Sequence, residues 1–328
     1  MEIKTFIIAE AGANHNKNFK QALSLIDVAV ESGASACKFQ TYSSNTLYSK
    51  NTPNFAGYTN INKLIDDIAL PREWQKDLKQ YCDEKGIEFM STPFDEKAVD
   101  ELVNLGVKRL KIAGFESTDF RFVEMVASAK LPLVISLGIG FEMNYLGKIF
   151  EIADKYGNEL SFMYANNAYP TPIEDAGVAI IRQLARDTRY KWGLSDHTKS
   201  TLTPALAVAA GATIIEKHFT LSKYLPGPDH PFALEPNELK EMIQHIKFAE
   251  KSIIKQTSNG ISDSEQPFKL AMRSVVAKTD IKKGDILTDN NITTKRPFLE
   301  GNIPAKHFEF TLGKIADKDY NEDDFICN

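Results

Sequence analysis

Up to about residue 255, apolar and polar positions alternate in blocks. Short apolar or β-branched runs are each followed by a longer charged stretch with helical spacing. The strand-like runs are "TFIIAEAG" (5–12), "ACKFQ" (36–40), "EFMSTPF" (88–94), "RLKIAG" (109–114), "PLVISLG" (132–138), "LSFMYAN" (160–166), "KWGLSD" (191–196) and "TIIEKHF" (213–219). Between them lie helical patterns such as "FKQALSLIDVAVESG", "REWQKDLKQYCDEKG" and "PNELKEMIQHIKFAEKS". Pro71 and Pro236 suit first helical turns, and Gly33 and Gly86 suit helix C-caps. Eight strand–helix units match the count of a (β/α)8 barrel. An open, doubly wound sheet also alternates in this way. The polar residues favour the barrel. Nearly every run ends on groups suited to chemistry: Glu10, Lys38 with Gln40, Ser91, Lys111, Ser136, Asn167, Asp196 with His197, and His218. An open sheet would gather such groups at one switch point, whereas a ring of them faces a single mouth.

Two regions break the pattern. Residues 41–70 form a long segment read as an irregular lid or a disordered loop. After the barrel domain, residues 1–255, comes a polar, turn-rich linker at 256–270. Residues 271–328 then read as a small second domain, with "SVVA", "GDIL" and "NITTK" as short strands between Gly and Asn turns.

Composition narrows the class. The 328 residues are 43% hydrophobic and 25% charged, with net charge −5. No basic excess points to nucleic acid. An anionic substrate must be held by local lysines or amides. Cys37, Cys82 and Cys327 fit neither a zinc site nor a disulfide framework, which predicts a reduced, cytoplasmic setting. The N-terminal apolar run is too short for a signal peptide, and no stretch approaches the ~20 apolar residues of a membrane span.

His197 and His218 close two consecutive strands. Adjacent strands lie about 5 Å apart, so both rings can reach one ion. Imidazole suits Mn, Fe, Co or Zn. A hydrogen-bonded structural role is the alternative for each ring. Lys38 and Lys111 sit within apolar strands, as a phosphate or carboxylate clamp, as a Schiff-base lysine, or as lysines covered by their own stems. "AEAGANHN" carries Glu10, Asn14 and His15 around a glycine turn; "GFESTD" places Glu116 past a strand end; "YANNAYPTP" presents Asn167 and Tyr169. "LPGPDHPFALEP" holds Asp229 and His230, and "KRPFLEG" holds Arg296.

Taken in order, "IAEAGANHN", "KFQ", "STPFDEKAVD", "LKIAG.E", "YPTP", "GLSDHT", "IEKHFTL", "GPDH..ALEP", "RSVVA..DI..GD" and "KRP" resemble the sialic acid synthase family of phosphoenolpyruvate-dependent nonulosonate synthases. The resemblance runs from about residue 5 to 315. It implies a (β/α)8 TIM barrel followed by an antifreeze-like (SAF) domain, in a domain-swapped homodimer. It implies a C–C bond-forming transferase that condenses phosphoenolpyruvate with an open-chain N-acylated amino-hexose to a nine-carbon keto acid and phosphate. On this resemblance His197 and His218 hold a divalent ion, Mn2+ first, with Mg2+ or Co2+ as other choices. Lys38, Lys111, Ser136, Asn167 and Ser195 match the phosphoenolpyruvate positions. Glu10, Gln40, Tyr169, Asp229 and Arg296 match the sugar positions. Glu116, Lys111 and Glu10 are the catalytic candidates, with Glu116 as general base for the water.

There are departures. Gly114 stands where much of the family has a serine on the phosphate, so that one ligand is either missing or supplied by Thr118 or Ser117. Phe115 resembles the pseudaminic acid branch, whereas "GPDH" resembles the sialic and legionaminic branches. Other readings are a synthase making a shorter keto-sugar acid, a lysine aldolase with Lys111 as its Schiff-base residue, and a carbohydrate-binding protein on the same fold.

Overall fold

The computed structural model describes residues 4–254 and 260–327. The chain divides into two compact units, Met1–Ile254 and Lys255–Asn328. Eight parallel strands build the first: β1 (Phe6–Glu10), β2 (Ala36–Thr41), β3 (Glu88–Pro93), β4 (Leu110–Ile112), β5 (Leu133–Leu137), β6 (Leu160–Ala165), β7 (Lys191–Asp196) and β8 (Ile214–His218). Each predicted run holds one strand. Their order is β3-β2-β1-β8-β7-β6-β5-β4. β1 pairs with β8, which an open doubly wound sheet would not do. β3 and β4 lie side by side without a paired register. Arg109 bridges that seam, its Nε donating to Glu88 Oε1 at 2.7 Å. The result is a nearly closed TIM-type barrel.

Strand alternation sorts the side chains into two shells. Outward residues such as Ile7, Phe39, Phe89, Ile135, Phe162 and Ile215 pack under the helices in one large core. Inward residues Ile8, Ala36, Met90, Val134, Met163 and Ile214 form a separate apolar plug. One step further along the same inward rows, the residues become Glu10, Lys38, Thr92, Ser136, Ala165 and Glu216. The lumen is thus apolar at its base and polar toward the C-terminal ends of the strands, as in barrels whose sites open at that end.

The predicted helices form at Phe19–Ser32, Gln75–Lys85 and Pro236–Ser252. Gly33 and Gly86 cap the first two in the left-handed region, at φ 86° and 74°. Glu235 and Glu238 form a reciprocal capping box on the third. Residues 41–70 are more ordered than expected. They contain helices Ser44–Leu47 and Ile61–Ile68, which share a small core of Tyr42, Ile61 and Ile65 with Phe94. The spacing of Ile61, Leu64, Ile65 and Ile68 is that of an amphipathic helix, a signal masked by the polar residues before it.

In the second unit, strands β9 (Ser274–Ala277) and β10 (Ile292–Lys295) pair antiparallel. "GDIL" is not a strand; Ile286 makes only an isolated bridge to Ile315. Val275, Ala277, Ile281, Leu287, Ile292, Tyr320 and Ile326 form its own core. Of the expected linker, 256–259 lie outside the described residues, and Gln266–Ala271 form a 3-10 helix. Cys37 and Cys82 are buried, Cys327 is exposed, and all three are free. Among the described residues no helix is long and apolar enough to cross a membrane.

Candidate active site

The polar end of the barrel holds a small cavity of about 40 Å³. Glu10, Lys38, Gln40, Lys111, Ser136, Asn167, Tyr169, Ser195, His197 and His218 all line it, together with Thr92 and Glu216. Ten sequence candidates therefore meet in one place. The elements responsible are strand ends, which hold side chains more rigidly than free loops do.

Charge at the base is balanced and dense. Lys38 Nζ lies 2.8 Å from Glu10 Oε2 and 3.6 Å from Glu216 Oε2. It also donates to Thr92 Oγ1 at 2.8 Å. Lys111 Nζ lies 3.3 Å from Glu216 Oε1, and the Ser195 hydroxyl donates to that oxygen at 3.0 Å. Gln40 Nε2 donates to Glu10 Oε1 at 2.8 Å. Two ammonium groups thus share two carboxylates, all buried. Burial works against the charge on Glu216, but Lys111 and Lys38 outweigh it and hold its pKa down to about 2. Glu10 goes the other way. Burial and the neighbouring Glu216 outweigh Lys38 and push it up to about 7. Burial also lowers the pKa of Lys111.

The two histidines stand above this layer, with ring centroids 5.7 Å apart. His197 Nδ1 donates to the Asn166 carbonyl at 2.6 Å, which assigns the free lone pair to Nε2. Burial pushes the pKa of His197 down to about 4 and that of His218 well below its ordinary value. Both rings are neutral at physiological pH and present lone pairs. His218 Nδ1 is buried without a hydrogen-bond partner and lies 3.8 Å from Asp229 Oδ2. A neutral imidazole with an orphaned nitrogen beside a carboxylate fits a cation. Among the described residues no group of three or more His, Cys, Asp or Glu converges on one point, so a two-histidine site leaves positions open. Tyr169 covers the pair, its ring 4.2 Å from that of His197.

Several sequence candidates lie off the cavity wall. Asp229 is half-buried on the loop after β8 and accepts the Ala13 N–H at 3.3 Å. That approach requires Gly12, at φ +49°, where a Cβ would meet Asp229 Oδ2 at 2.8 Å. His230 is fully buried and bonds Thr220 Oγ1 at 2.6 Å and Asn16 Oδ1 at 3.1 Å, so it fastens the loops after β1 and β8 together. Asn14 donates to the Phe219 carbonyl and His15 is a buried structural ring. Ser91 points outward to Thr41, and Thr92 takes its place in the lumen. Asp196 also points outward, to Lys217. Ser117 donates to the Gly114 carbonyl at 2.9 Å, so its hydroxyl is already engaged within its own turn. The space beside Gly114 is filled by Asn167, whose Nδ2 lies 3.1 Å from where a Cβ would stand. Arg296 belongs to the second unit and is exposed after β10.

Glu116 is half-buried outside the cavity wall, and its Oε2 has no partner. Burial pushes its pKa up to about 7. From about pH 4.5 to 7 the folded chain holds a proton that the unfolded chain has lost, so stability falls as pH rises through this window. Glu116→Gln is expected to flatten the fall in thermal midpoint between pH 5 and 7.5. An unchanged slope would show that Glu116 titrates normally in the fold.

Sequence reasoning missed Glu216 and Thr92. Strand alternation could have found Glu216, because it stands two residues before His218 and shares its face.

Comparison with known proteins agrees with this geometry. The NeuB family model matches residues 25–258 and the SAF domain model residues 272–326. The chain is 39% identical over 305 residues to the N,N'-diacetyllegionaminic acid synthase of Legionella pneumophila, covering 89% of this chain and 85% of that one. It is 34% identical over 327 residues to the pseudaminic acid synthase of Campylobacter jejuni, covering 96% and 93%. The structure of the N-acetylneuraminic acid synthetase from Leptospira borgpetersenii superposes with TM-score 0.74 at 30% identity, over 81% of this chain and 90% of that one. This chain belongs to the NeuB family of synthases and carries a SAF domain at its C-terminal end.

Proposed function

We propose that this enzyme is a nonulosonate synthase. Carbon 3 of phosphoenolpyruvate bonds to the aldehyde carbon of an open-chain N-acylated amino-hexose, and the aldehyde oxygen takes a proton. Water adds at carbon 2, phosphate leaves by C–O cleavage, and a nine-carbon 3-deoxy-2-keto acid remains. The observation that carries this reading is the meeting of two buried ammonium groups and two neutral imidazoles at one barrel mouth.

Lys38 and Lys111 bind the anionic donor, with Ser136, Asn167 and Ser195 as hydroxyl and amide partners. Their charges are already matched by Glu10 and Glu216. The raised pKa of Glu10 resolves the conflict. An anion beside it favours its neutral form, which frees the positive charge of Lys38 for the donor. Glu10 then has a proton available for transfer near neutral pH. Gln40, Tyr169, Asp229 and Arg296 bind the acceptor, and Glu116 acts as base for the water. His197 and His218 hold a divalent ion, Mn2+ first among the candidates, which supplies Lewis acidity toward the aldehyde when bound.

The test is phosphate release from phosphoenolpyruvate with Mn2+, with and without EDTA. The acceptors are N-acetylmannosamine, its 2,4-diacetamido-6-deoxy analogue and the altrose-configured analogue. Release with one sugar, abolished by EDTA, is the expected result and names the branch. No release with any of them would overturn the reading.

The working form is a homodimer in which Arg296 serves the partner's barrel. Arg296→Ala is expected to impair acceptor use more than donor use. Heterodimers of Arg296→Ala with Lys111→Ala should regain activity, because one hybrid site is then intact. No recovery in isolated heterodimers would refute the exchange.

A further inference from the structure

Behind the two histidines lies a buried ion pair. Strand alternation turns Asp196 and Lys217, the chain neighbours of His197 and His218, to the outer side of the barrel wall. The two are register partners across β7 and β8. Lys217 Nζ donates to Asp196 Oδ2 at 2.6 Å and also to the Thr198 carbonyl. Asp196 in turn accepts the Thr198 backbone N–H at 2.9 Å and its hydroxyl at 3.1 Å. The Ser200 N–H then donates to the Thr198 hydroxyl at 3.2 Å. The residues on both sides of His197 are therefore tied, through one ammonium group, to the strand that ends in His218.

Both members of the pair are almost completely buried, at 1% exposure for Lys217 and 2% for Asp196. Neither lines the cavity. Replacing a buried ion pair by apolar residues of similar volume is often neutral or stabilising, so stability alone does not account for this pair. Its placement supplies one. A charged pair with directional bonds fixes the strand-end turn in a way that apolar packing does not.

We infer that Asp196 and Lys217 are positioning residues that set the placement of His197 against His218 for a shared divalent ion. The inference rests on the two-histidine reading above. The pair acts through the rings and touches no substrate.

The test uses the full-length protein and the metal alone. Mn2+ binding is followed by electron paramagnetic resonance, phosphoenolpyruvate binding by calorimetry, and folding by thermal melting. The variants are Asp196→Asn/Lys217→Met, Lys217→Arg and His218→Ala. Wild type is expected to bind Mn2+ and His218→Ala to lose it. The double variant removes both charges together, so no buried charge is left unpaired. It is expected to stay folded, to bind phosphoenolpyruvate within about twofold of wild type, and to bind Mn2+ about 3- to 30-fold more weakly, an effect carried through the backbone to the rings. Lys217→Arg keeps the charge with altered geometry and should fall between the two; it gives the same contrast if the double variant does not fold. Unchanged Mn2+ affinity in a folded variant would overturn the positioning role, as would Mn2+ and phosphoenolpyruvate affinities that fall together. Mn2+ binding in wild type that His218→Ala leaves intact would instead overturn the two-histidine reading, and the inference with it.

Discussion

His218→Ala is expected to lower phosphate release from phosphoenolpyruvate by about 10³-fold or more and to leave the residual rate indifferent to EDTA. The magnitude follows from the several kcal/mol that carbonyl polarisation by an ion contributes to such a transition state. The surroundings of His218 account for the size of the expected loss. His218 is buried at the end of β8, its Nδ1 has no protein partner, and burial keeps it neutral. Lys38, Lys111 and Glu216 are engaged with one another in the layer beneath. The fold should survive, because the strand keeps both ladder partners, β1 and β7. Donor affinity should also survive, since the lysines sit on β2 and β4. A variant with near-wild-type rate in EDTA would remove the ion from the mechanism.

The second large effect is expected at Lys111. Lys111→Met should reduce kcat/KM for phosphoenolpyruvate by at least about 100-fold, consistent with the roughly 2–5 kcal/mol of binding lost when one partner of a buried, hydrogen-bonded charge pair is truncated. Glu216 would keep only Lys38, at 3.6 Å, and the Ser195 hydroxyl. Its pKa should rise, because Lys111 is the stronger of the two cations holding it down. The loss should fall on the donor more than on the acceptor, which separates a clamp from general damage. The same residue distinguishes the aldolase alternative. Borohydride with substrate should leave Lys111 unmodified in wild type; reductive trapping there would mean Schiff-base chemistry instead of a clamp.

Much of the site could be read from the chain because it lies at strand ends. A polar residue that terminates an apolar run must face either the barrel mouth or a buried partner, and the eight runs were distinct. What the runs did not reveal was parity. Ser91 and Thr92 are both polar and adjacent, yet only Thr92 enters the lumen. Asp196 and His197 are adjacent too, and only the histidine lines the cavity. Glu216 carries no strand-end signal, because it lies inside β8, where its carboxylate is one more charge in "IEKHF". Residues 61–68 escaped because a polar stretch of some 20 residues hid one short amphipathic helix.

The sequence alone determined the number of strand–helix units, the two-part division and most of the residues with chemistry to offer. These are local properties: period-2 and period-3.6 patterning, helix caps and residue type are written into neighbouring positions. Tertiary structure decided the closure of β1 on β8, the balance of Lys38 and Lys111 against Glu10 and Glu216, and the opposite pKa shifts of those two carboxylates. It also decided that Asp196 and Lys217 stand behind the histidines and not beside them. The physical reason is that burial and charge interaction depend on distances between residues far apart in sequence, and only the closed barrel sets those distances.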